Sequence, residues 1–156
     1  MKKFSDVKPV EKKEILNEGI QMGIEEIFEA TELTPVEEFF SKLFESRQVA
    51  HIFHLQTKGD EGSYAEHMAL GSYYDDVLSE IDDLIEVYQG QYGIVENYGD
   101  IDINSKGDSS VEYFESLATY IKEDKSIEES DTHLHSIIDN ILCIVYKTLF
   151  KLKYNK

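Results

Sequence analysis

The chain has 156 residues, of which 41% are hydrophobic and 12% aromatic, so it can build one folded domain and is not a disordered polypeptide. Its 32 Asp and Glu residues outnumber 15 Lys and Arg residues, which gives a formal net charge of −17. This charge disfavours direct binding to the phosphate backbone of DNA, and it suits a protein that attracts cations or a basic partner.

Cysteine content and hydropathy bear on where the chain functions. Cys143 is the single cysteine, so no internal disulfide can form, and its apolar surroundings predict a buried small hydrophobic residue. The first six residues, MKKFSD, lack the apolar core of a secretory signal, and no apolar run approaches the roughly 20 residues of a membrane span. These features predict a cytoplasmic protein that does not enter a membrane.

The first thirty residues are predicted to form a mobile tail and one helix. Residues 1–9 contain three lysines, too few to hold DNA against the net charge of the chain, so they are expected to be a solvated terminus. Residues 10–30 have apolar side chains at helical spacing, and Gly19 and Gly23 allow another helix to approach closely. The apolar positions are Ile15, Leu16, Ile20, Ile24, Ile27 and Phe28.

Two long helices are predicted next, joined by a short turn. The sequence TPVE at residues 34–37 is a strong helix start, in which Thr34 is the N-cap and Glu37 completes a capping box. Two glycines within residues 58–62 predict the turn, and residues 63–89 are predicted to form a helix of about 40 Å. Its apolar stripe has a spacing near 3.5 residues, which is typical of bundle packing. The stripe consists of Tyr64, His67, Gly71, Tyr74, Leu78, Ile81, Ile85 and Tyr88.

The rest of the chain adds a connection and two more helices. Residues 90–108 are rich in Gly, Asn and Asp, which predicts an irregular connection. Ser109 or Ser110 is predicted to cap a third helix that ends near Lys122, and a fourth helix is predicted within residues 130–152. Four apolar residues predict that the connection packs on the helices: Tyr92, Ile94, Val95 and Tyr98.

Together these elements predict an all-α fold in one domain, residues 1–156. Residues 34–153 form an up-down four-helix bundle with a longer connection between bundle helices two and three, and the N-terminal helix is extra to the bundle. No alternating strand pattern competes with this interpretation. The apolar spacing predicts five buried side chains in particular: Phe53, Leu78, Ile81, Ile141 and Val145.

Four side chains on the two long helices are the candidate metal ligands. His54 and His67 flank the predicted turn, and Asp82 and Glu86, four apart, share one helix face. Asp82 follows His67 by fifteen positions, or about 22 Å along a helix, too far for one ion to bridge within one chain. A second copy packed antiparallel about a two-fold axis near Tyr74 or Tyr73 would bring histidines and carboxylates together. The sequence therefore predicts a shared site in a homodimer.

The same residues carry a resemblance to a known family. The segment HLQTKG at residues 54–59, followed by His67, Asp82 and Glu86, resembles the Dps branch of the ferritin-like superfamily, the mini-ferritins. The family pattern is His-Trp-x-x-Lys/Arg-Gly followed by His, Asp and Glu at similar spacing, and Leu55 stands here in place of the tryptophan. The chain is also similar to Dps-like proteins of tailed phages.

This resemblance implies a ferritin-like bundle and a ferroxidase centre formed across a subunit two-fold. The implied ligands are His54, His67, Asp82 and Glu86, and the implied metal is iron, with other divalent metals left open. The chain would then be a homodimer or a larger homo-oligomer, and a ferroxidase-type oxidoreductase if the metal site is intact. A phage-encoded protein of this kind would lie in the host cytoplasm or in the virion.

Two further functions fit the acidic composition. One is a non-catalytic structural or interaction protein, for example one encoded by a phage, whose acidic surface meets a basic protein partner. The other is an acidic decoy that mimics DNA and blocks a nucleic-acid-binding protein. The four ligand types favour the metal-binding interpretation, whereas Leu55 and the net charge favour these alternatives.

Overall fold

The computed structural model describes residues 32–58, 64–103 and 107–155. Within these ranges the chain is all-helical, with four helices and no strand, and all four belong to one compact unit, Leu33–Lys156. The helices are α1 (Pro35–Gln56), α2 (Tyr64–Tyr92), α3 (Ser110–Glu123) and α4 (Thr132–Tyr154). No helix in the described ranges is long and apolar enough to cross a membrane. The predicted tail, residues 1–9, and helix, residues 10–30, lie outside the described residues.

Local sequence explains where the helices begin and end. The predicted capping box is confirmed, because the backbone N–H of Thr34 donates to Glu37 Oε2 at 2.8 Å and the Thr34 hydroxyl accepts from the Glu37 backbone N–H. Ser109, one of the two serines predicted to cap α3, is its N-cap. Gly93 has a positive φ of 99° and follows the last residue of α2. The helix ends at Tyr92, three residues later than the predicted end at residue 89.

The second helix runs antiparallel to the first. The His54 and His67 rings stack where α1 ends and α2 begins. Near the other ends of the same helices, the Phe40 and Tyr88 rings lie 5.3 Å apart. The end of α1 contacts the start of α2, and the start of α1 contacts the end of α2. The two helices therefore form an antiparallel pair.

The third and fourth helices point in different directions from each other. α3 begins beside the start of α2, because the Ser110 hydroxyl donates to Glu66 Oε1 at 2.7 Å. α4 begins beside the end of α2, where the Gln91 amide donates to Asp131 at 3.1 Å, and its last turn contacts α3 through Lys153. The helices therefore run up, down, down and up in chain order.

One long connection follows from these directions. Since α2 and α3 run the same way, the chain must return along the length of the bundle between Tyr92, which ends α2, and Ser110, which begins α3. Val95 is buried, and the Tyr98 ring lies 5.8 Å from a phenylalanine ring of α1, so the predicted packing of this connection is confirmed at these two residues. Tyr92 and Ile94, which were predicted to pack in the same way, are exposed.

The core lies between the four helices and matches most of the predicted burial. Phe53, Ile81, Ile141 and Val145 are buried, as their spacing predicted. Leu78 was predicted to be buried, and this is wrong, because its side chain is 41% exposed.

The error at Leu78 arises because α2 carries two apolar stripes. The stripe predicted from the sequence is half-buried or exposed along most of its length, as at His67, Tyr74 and Leu78. It reaches the core only at Ile81 and Ile85. A second stripe, offset around the helix, faces the core: Leu70, Tyr73, Val77, Ile81 and Leu84. Periodicity alone indicated that α2 packs in a bundle and not which stripe is innermost.

Cys143 is a second correction. It was predicted to be a buried small hydrophobic residue, and it is exposed. Its position on α4 lies one turn before Lys147 on the outer side of the helix, so an apolar stretch of sequence did not place it in the core.

Candidate functional site

Two of the four predicted ligands come together at one end of the α1–α2 pair. The His54 and His67 rings are stacked, with centroids 3.7 Å apart and an interplanar angle of 24°. Both side chains are half-buried. The prediction that these two histidines lie together beside the connection between α1 and α2 is therefore confirmed, although residues 59–63 of that connection lie outside the described residues.

The two histidines hold each other in a defined tautomer. His54 Nδ1 is 2.8 Å from the His67 carbonyl oxygen, and His67 Nδ1 is 3.2 Å from the His54 carbonyl oxygen. A carbonyl oxygen can only accept a hydrogen bond, so each Nδ1 carries the hydrogen. In the neutral rings Nε2 is then the lone-pair nitrogen. Histidines that bind metal ions are commonly oriented in this way, by donation from the second ring nitrogen to a carbonyl.

Aromatic neighbours and a glycine shape the surroundings of the pair. Tyr74 packs edge-on against His54 at 5.3 Å and lies 4.5 Å from the His51 ring. A Cβ atom at Gly71 would lie 3.3 Å from two atoms of the His54 ring, so glycine leaves the space that this ring occupies. His51 lies against Tyr74, with its ring centroid 6.3 Å from that of His54.

The two carboxylates lie elsewhere on α2. Asp82 and Glu86 are exposed and project from one face, four residues apart, and fifteen residues separate Asp82 from His67. Across the described ranges, no three His, Cys, Asp or Glu side chains lie close enough together to hold a metal ion. A single protomer therefore contains the predicted ligands as two separate halves.

The donor chemistry of the two halves suits a transition metal, with one geometric condition. Imidazole nitrogens and carboxylates are ligands that iron and zinc accept. The ring centroids are 3.7 Å apart and the ring planes are inclined by 24°, so a single ion within bonding distance of both Nε2 atoms cannot lie in both ring planes. Either each Nε2 serves its own ion, or one ring turns when an ion binds.

The electrostatics of α2 favour a cation. The helix contains seven carboxylates and no Lys or Arg: Glu66, Asp75, Asp76, Glu80, Asp82, Asp83 and Glu86. Like charges on neighbouring turns repel, and the repulsion is reduced by any bound cation. The two salt bridges found among the described residues, at Glu45 and Glu115, lie on other helices. Of the α2 carboxylates other than Glu66, none forms a salt bridge within the described ranges.

Two features of the site were not predicted from the sequence. Gly71 leaves room for the His54 ring of α1, and its signal in the sequence was a glycine inside a predicted helix, which often has a packing reason. The reciprocal hydrogen bonds of His54 and His67 left no signal in the sequence, because they depend on the rotation of each ring.

Comparison with known protein families gives a match. Residues 54–152 match a protein family of unknown function, DUF5856. The matched range begins at His54 and includes His67, Asp82 and Glu86. No curated protein and no solved structure matches the chain. Because the match covers more than half of its length, the chain belongs to the DUF5856 family.

Proposed function

We propose that this chain is a ferritin-like protein of the Dps type, which binds iron or another divalent metal at a site shared by two copies. His54 and His67 of one protomer supply nitrogen ligands, and the partner's Asp82 and Glu86 supply oxygen ligands. The single observation that carries the proposal is the reciprocal hydrogen bonding of the histidine pair. It fixes both Nδ1 atoms on carbonyl oxygens and leaves both Nε2 atoms available.

The path of the chain supports the ferritin-like part of the proposal. The directions up, down, down and up require one long crossover between the second and third bundle helices, that is, between Tyr92 and Ser110. Bundles with a single long crossover are typical of ferritin-like folds, where carboxylates and histidines on facing helices build iron sites. α3 has 14 residues, against 29 in α2, so it covers only part of the bundle length.

A partner is needed because of the spacing along α2. His67 and Asp82 are about 22 Å apart along one helix, at the standard rise of 1.5 Å per residue. A two-fold axis beside Tyr74, midway between them, places His67 of each protomer opposite the partner's Asp82. The same axis makes two equivalent sites in each dimer.

The protein side chains have defined roles in this proposal. One ring turns out of the stack when the ion binds, so that both Nε2 atoms can bind it as neutral donors. The two carboxylates balance the charge of the ion and offset the repulsion along α2. The hydrogen bonds to carbonyl oxygens orient the rings. Fe(II), when bound, would be the substrate, and its one-electron chemistry with oxygen or peroxide makes the protein a ferroxidase-type oxidoreductase.

Metal analysis of the purified full chain tests the proposal. We expect Zn(II), or Fe(II) added without oxygen, to bind at one site per chain, and His54→Ala to abolish that binding while the protein stays folded. His133→Ala is the matched control, since His133 is exposed and bonds to Gln91 beside the start of α4. If the parent binds no metal, or the two variants bind alike, the ligand role of His54 is wrong.

A specific observation favours a second candidate function. Met68 and Leu78 are 49% and 41% exposed on α2, a helix that contains seven carboxylates and no Lys or Arg. An acidic surface with apolar residues suits a non-catalytic interaction protein with a basic protein partner. This candidate predicts that the parent binds no metal yet binds a basic polypeptide with a salt-dependent affinity.

A further inference from the structure

The second half of α4 differs in charge from the rest of the chain. All 32 Asp and Glu residues lie at or before Asp139, whereas residues 140–156 contain four lysines and no carboxylate side chain. Two of these lysines, Lys147 and Lys151, lie about one turn apart on α4 and form no salt bridge within the described ranges. This part of α4 is therefore a basic segment in a strongly acidic protein.

Three aromatic side chains are exposed beside these lysines. Tyr146, Phe150 and Tyr154 follow one another at intervals of four residues, so they form one line along the outer side of α4. They are 46%, 59% and 71% exposed, and the rings of the last two lie 5.6 Å apart. Single exposed apolar residues are ordinary, but a continuous exposed line of them is typical of an interaction surface.

The aromatic line and the lysines border one open groove with a volume of about 520 Å³. Lys147 and Lys151 each follow an aromatic residue by one position, so they lie about 100° around the helix from the aromatic line. The groove extends from Cys143 to Asn155, about 18 Å at the standard rise, which matches about three turns of a second helix. Its lining consists of Cys143, Tyr146, Lys147, Phe150, Lys151 and Asn155.

A second copy of the same face does not suit this groove. Lys153 precedes Tyr154 by one position and so lies on the opposite side of the aromatic line from Lys147 and Lys151, where it pairs with Glu115 of α3. Lysines therefore border the aromatic residues on both sides. Two such faces placed together would set lysines against lysines, which repel.

Extended polyanions also fit this face poorly. Duplex DNA or an anionic bilayer presents phosphates well beyond the groove, and these would be repelled by the rest of a chain whose formal net charge is −17. A single short helix meets mainly the basic face, because exposed charges more than about 8 Å away are largely screened at physiological salt. The charge pattern therefore favours a short acidic ligand.

We propose that this face of α4 docks an acidic amphipathic helix of a partner protein. Apolar residues of the partner helix cover Tyr146, Phe150 and Tyr154, and its carboxylates pair with Lys147 and Lys151. Helix-in-groove recognition uses apolar anchors at helical spacing in this way, and complementary charge selects which helices are accepted. The face contains none of the candidate metal ligands, so the inference does not depend on the function proposed above.

A synthetic peptide of about 18 residues, long enough to form a helix, tests this docking on the full chain. Leucines form one stripe of the peptide helix, glutamates occupy its other positions, and fluorescence anisotropy measures binding. We expect a dissociation constant in the micromolar range, as for a small interface, and weaker binding as salt is added. A peptide with the same glutamates and serine in place of leucine should not bind.

Two variants remove the two components of the face separately. Lys147→Gln/Lys151→Gln removes the charge, and Phe150→Ser removes the central aromatic ring. We expect each variant to raise the dissociation constant of the leucine–glutamate peptide about tenfold. Thermal unfolding should be close to that of the parent, because these substitutions lie on the outer side of α4.

Each variant has a matched control elsewhere on the molecule. Lys122→Gln/Lys125→Gln makes the same change of charge at exposed positions near the end of α3, at the opposite end of the bundle from Lys153. Ile94→Ser removes a side chain that is 76% exposed in the connection between α2 and α3. We expect both controls to bind the peptide within about twofold of the parent.

Three results would overturn the proposed docking site. The first is no peptide binding by the parent, or equal binding by the parent and both variants. The second is self-association of the parent that Phe150→Ser abolishes, since a second copy would then cover the face. The third is binding to phosphatidylglycerol vesicles, but not to the peptide, that Lys147→Gln/Lys151→Gln abolishes, since the face would then recognise lipid phosphates.

Discussion

At the residue scale, we predict that replacing Gly71 by alanine weakens metal binding and leaves the protein folded. In Gly71→Ala the new methyl carbon meets the His54 ring at 3.3 Å, so the ring must shift by a few tenths of an ångström. The shift strains the hydrogen bond from His54 Nδ1, and we expect weaker Zn(II) binding by calorimetry. The stability of the fold should change by less than about 1 kcal/mol, since alanine is the better helix former.

Gly90→Ala is the control for this prediction. Gly90 lies on the same helix, and a Cβ atom there would meet nothing within 4 Å. We expect Gly90→Ala to raise the free energy of unfolding by up to about 1 kcal/mol and to leave Zn(II) affinity unchanged. Equal metal affinities for the two variants would show that the space at Gly71 does not matter to the site.

A buried hydrogen bond in the core gives a second residue-scale prediction. The Tyr73 hydroxyl is 2.8 Å from Ser46 Oγ, which itself donates to the Leu43 carbonyl oxygen, so Tyr73 is the donor between them. Both side chains are fully buried, and burial raises the pKa of Tyr73. Ser46→Ala leaves the Tyr73 hydroxyl without an acceptor, whereas Tyr73→Phe removes the donor and keeps the ring packed against Phe114.

We therefore expect the two substitutions to differ in urea unfolding. Ser46→Ala should lower the free energy of unfolding by about 1–3 kcal/mol, and Tyr73→Phe by about 0.5–1.5 kcal/mol. A larger loss for Tyr73→Phe would contradict the assignment of Tyr73 as the donor.

At the scale of elements, a polar contact joins the end of α2 to the start of α4. Asp131 accepts hydrogen bonds from the Tyr92 hydroxyl and from Gln91 Nε2. The bond from Tyr92, more than that from Gln91, lowers the pKa of Asp131 below its usual 3.8. A depressed pKa means that this contact stabilises the fold above pH 3.8, and that the stabilisation is lost as the pH falls through the folded-state pKa.

Acid unfolding should report this contact. We expect Asp131→Asn to reduce the dependence of the urea midpoint on pH below 3.8, because the substituted amide does not titrate there. Asp139→Asn, at an exposed position of α4, removes the same charge without touching Tyr92 and is the matched control. Equal effects of the two substitutions would contradict the role of Asp131.

The elements also show how far the sequence could predict the structure. The helix start at Thr34 was predictable because capping is local chemistry between residues three apart. The inner face of α2 was not, because apolar side chains occur on two sides of that helix and its neighbours decide which side is buried. The meeting of His54 and His67 followed from the short connection between them. The buried Nε atom of Arg47 has no hydrogen-bond partner among the described residues. The sequence could not predict this, because it depends on which acceptors the fold brings near that atom.

At the scale of the whole molecule, the net charge bears on whether the protein binds nucleic acid. With a formal net charge of −17, we expect no appreciable binding to duplex DNA at physiological salt. An electrophoretic mobility shift at micromolar protein would contradict this if it weakened as salt was added.

The central claim is that two copies share one set of ligands, and mixed dimers test it most directly. One chain carries His54→Ala/His67→Ala, and the other carries Asp82→Asn/Glu86→Gln. Neither variant alone can bind metal, because each homodimer lacks half of the ligands at both sites. A mixed dimer contains one site with all four ligands and one site with none.

The measurement is the metal content of mixed dimers purified through a different tag on each chain, with each homodimer as control. The shared site predicts about half of the parent's metal per chain in the mixed dimer and none in either homodimer. A mixed dimer without metal, beside a parent that binds it, would contradict the shared site, since ligands contained within one chain cannot complement one another.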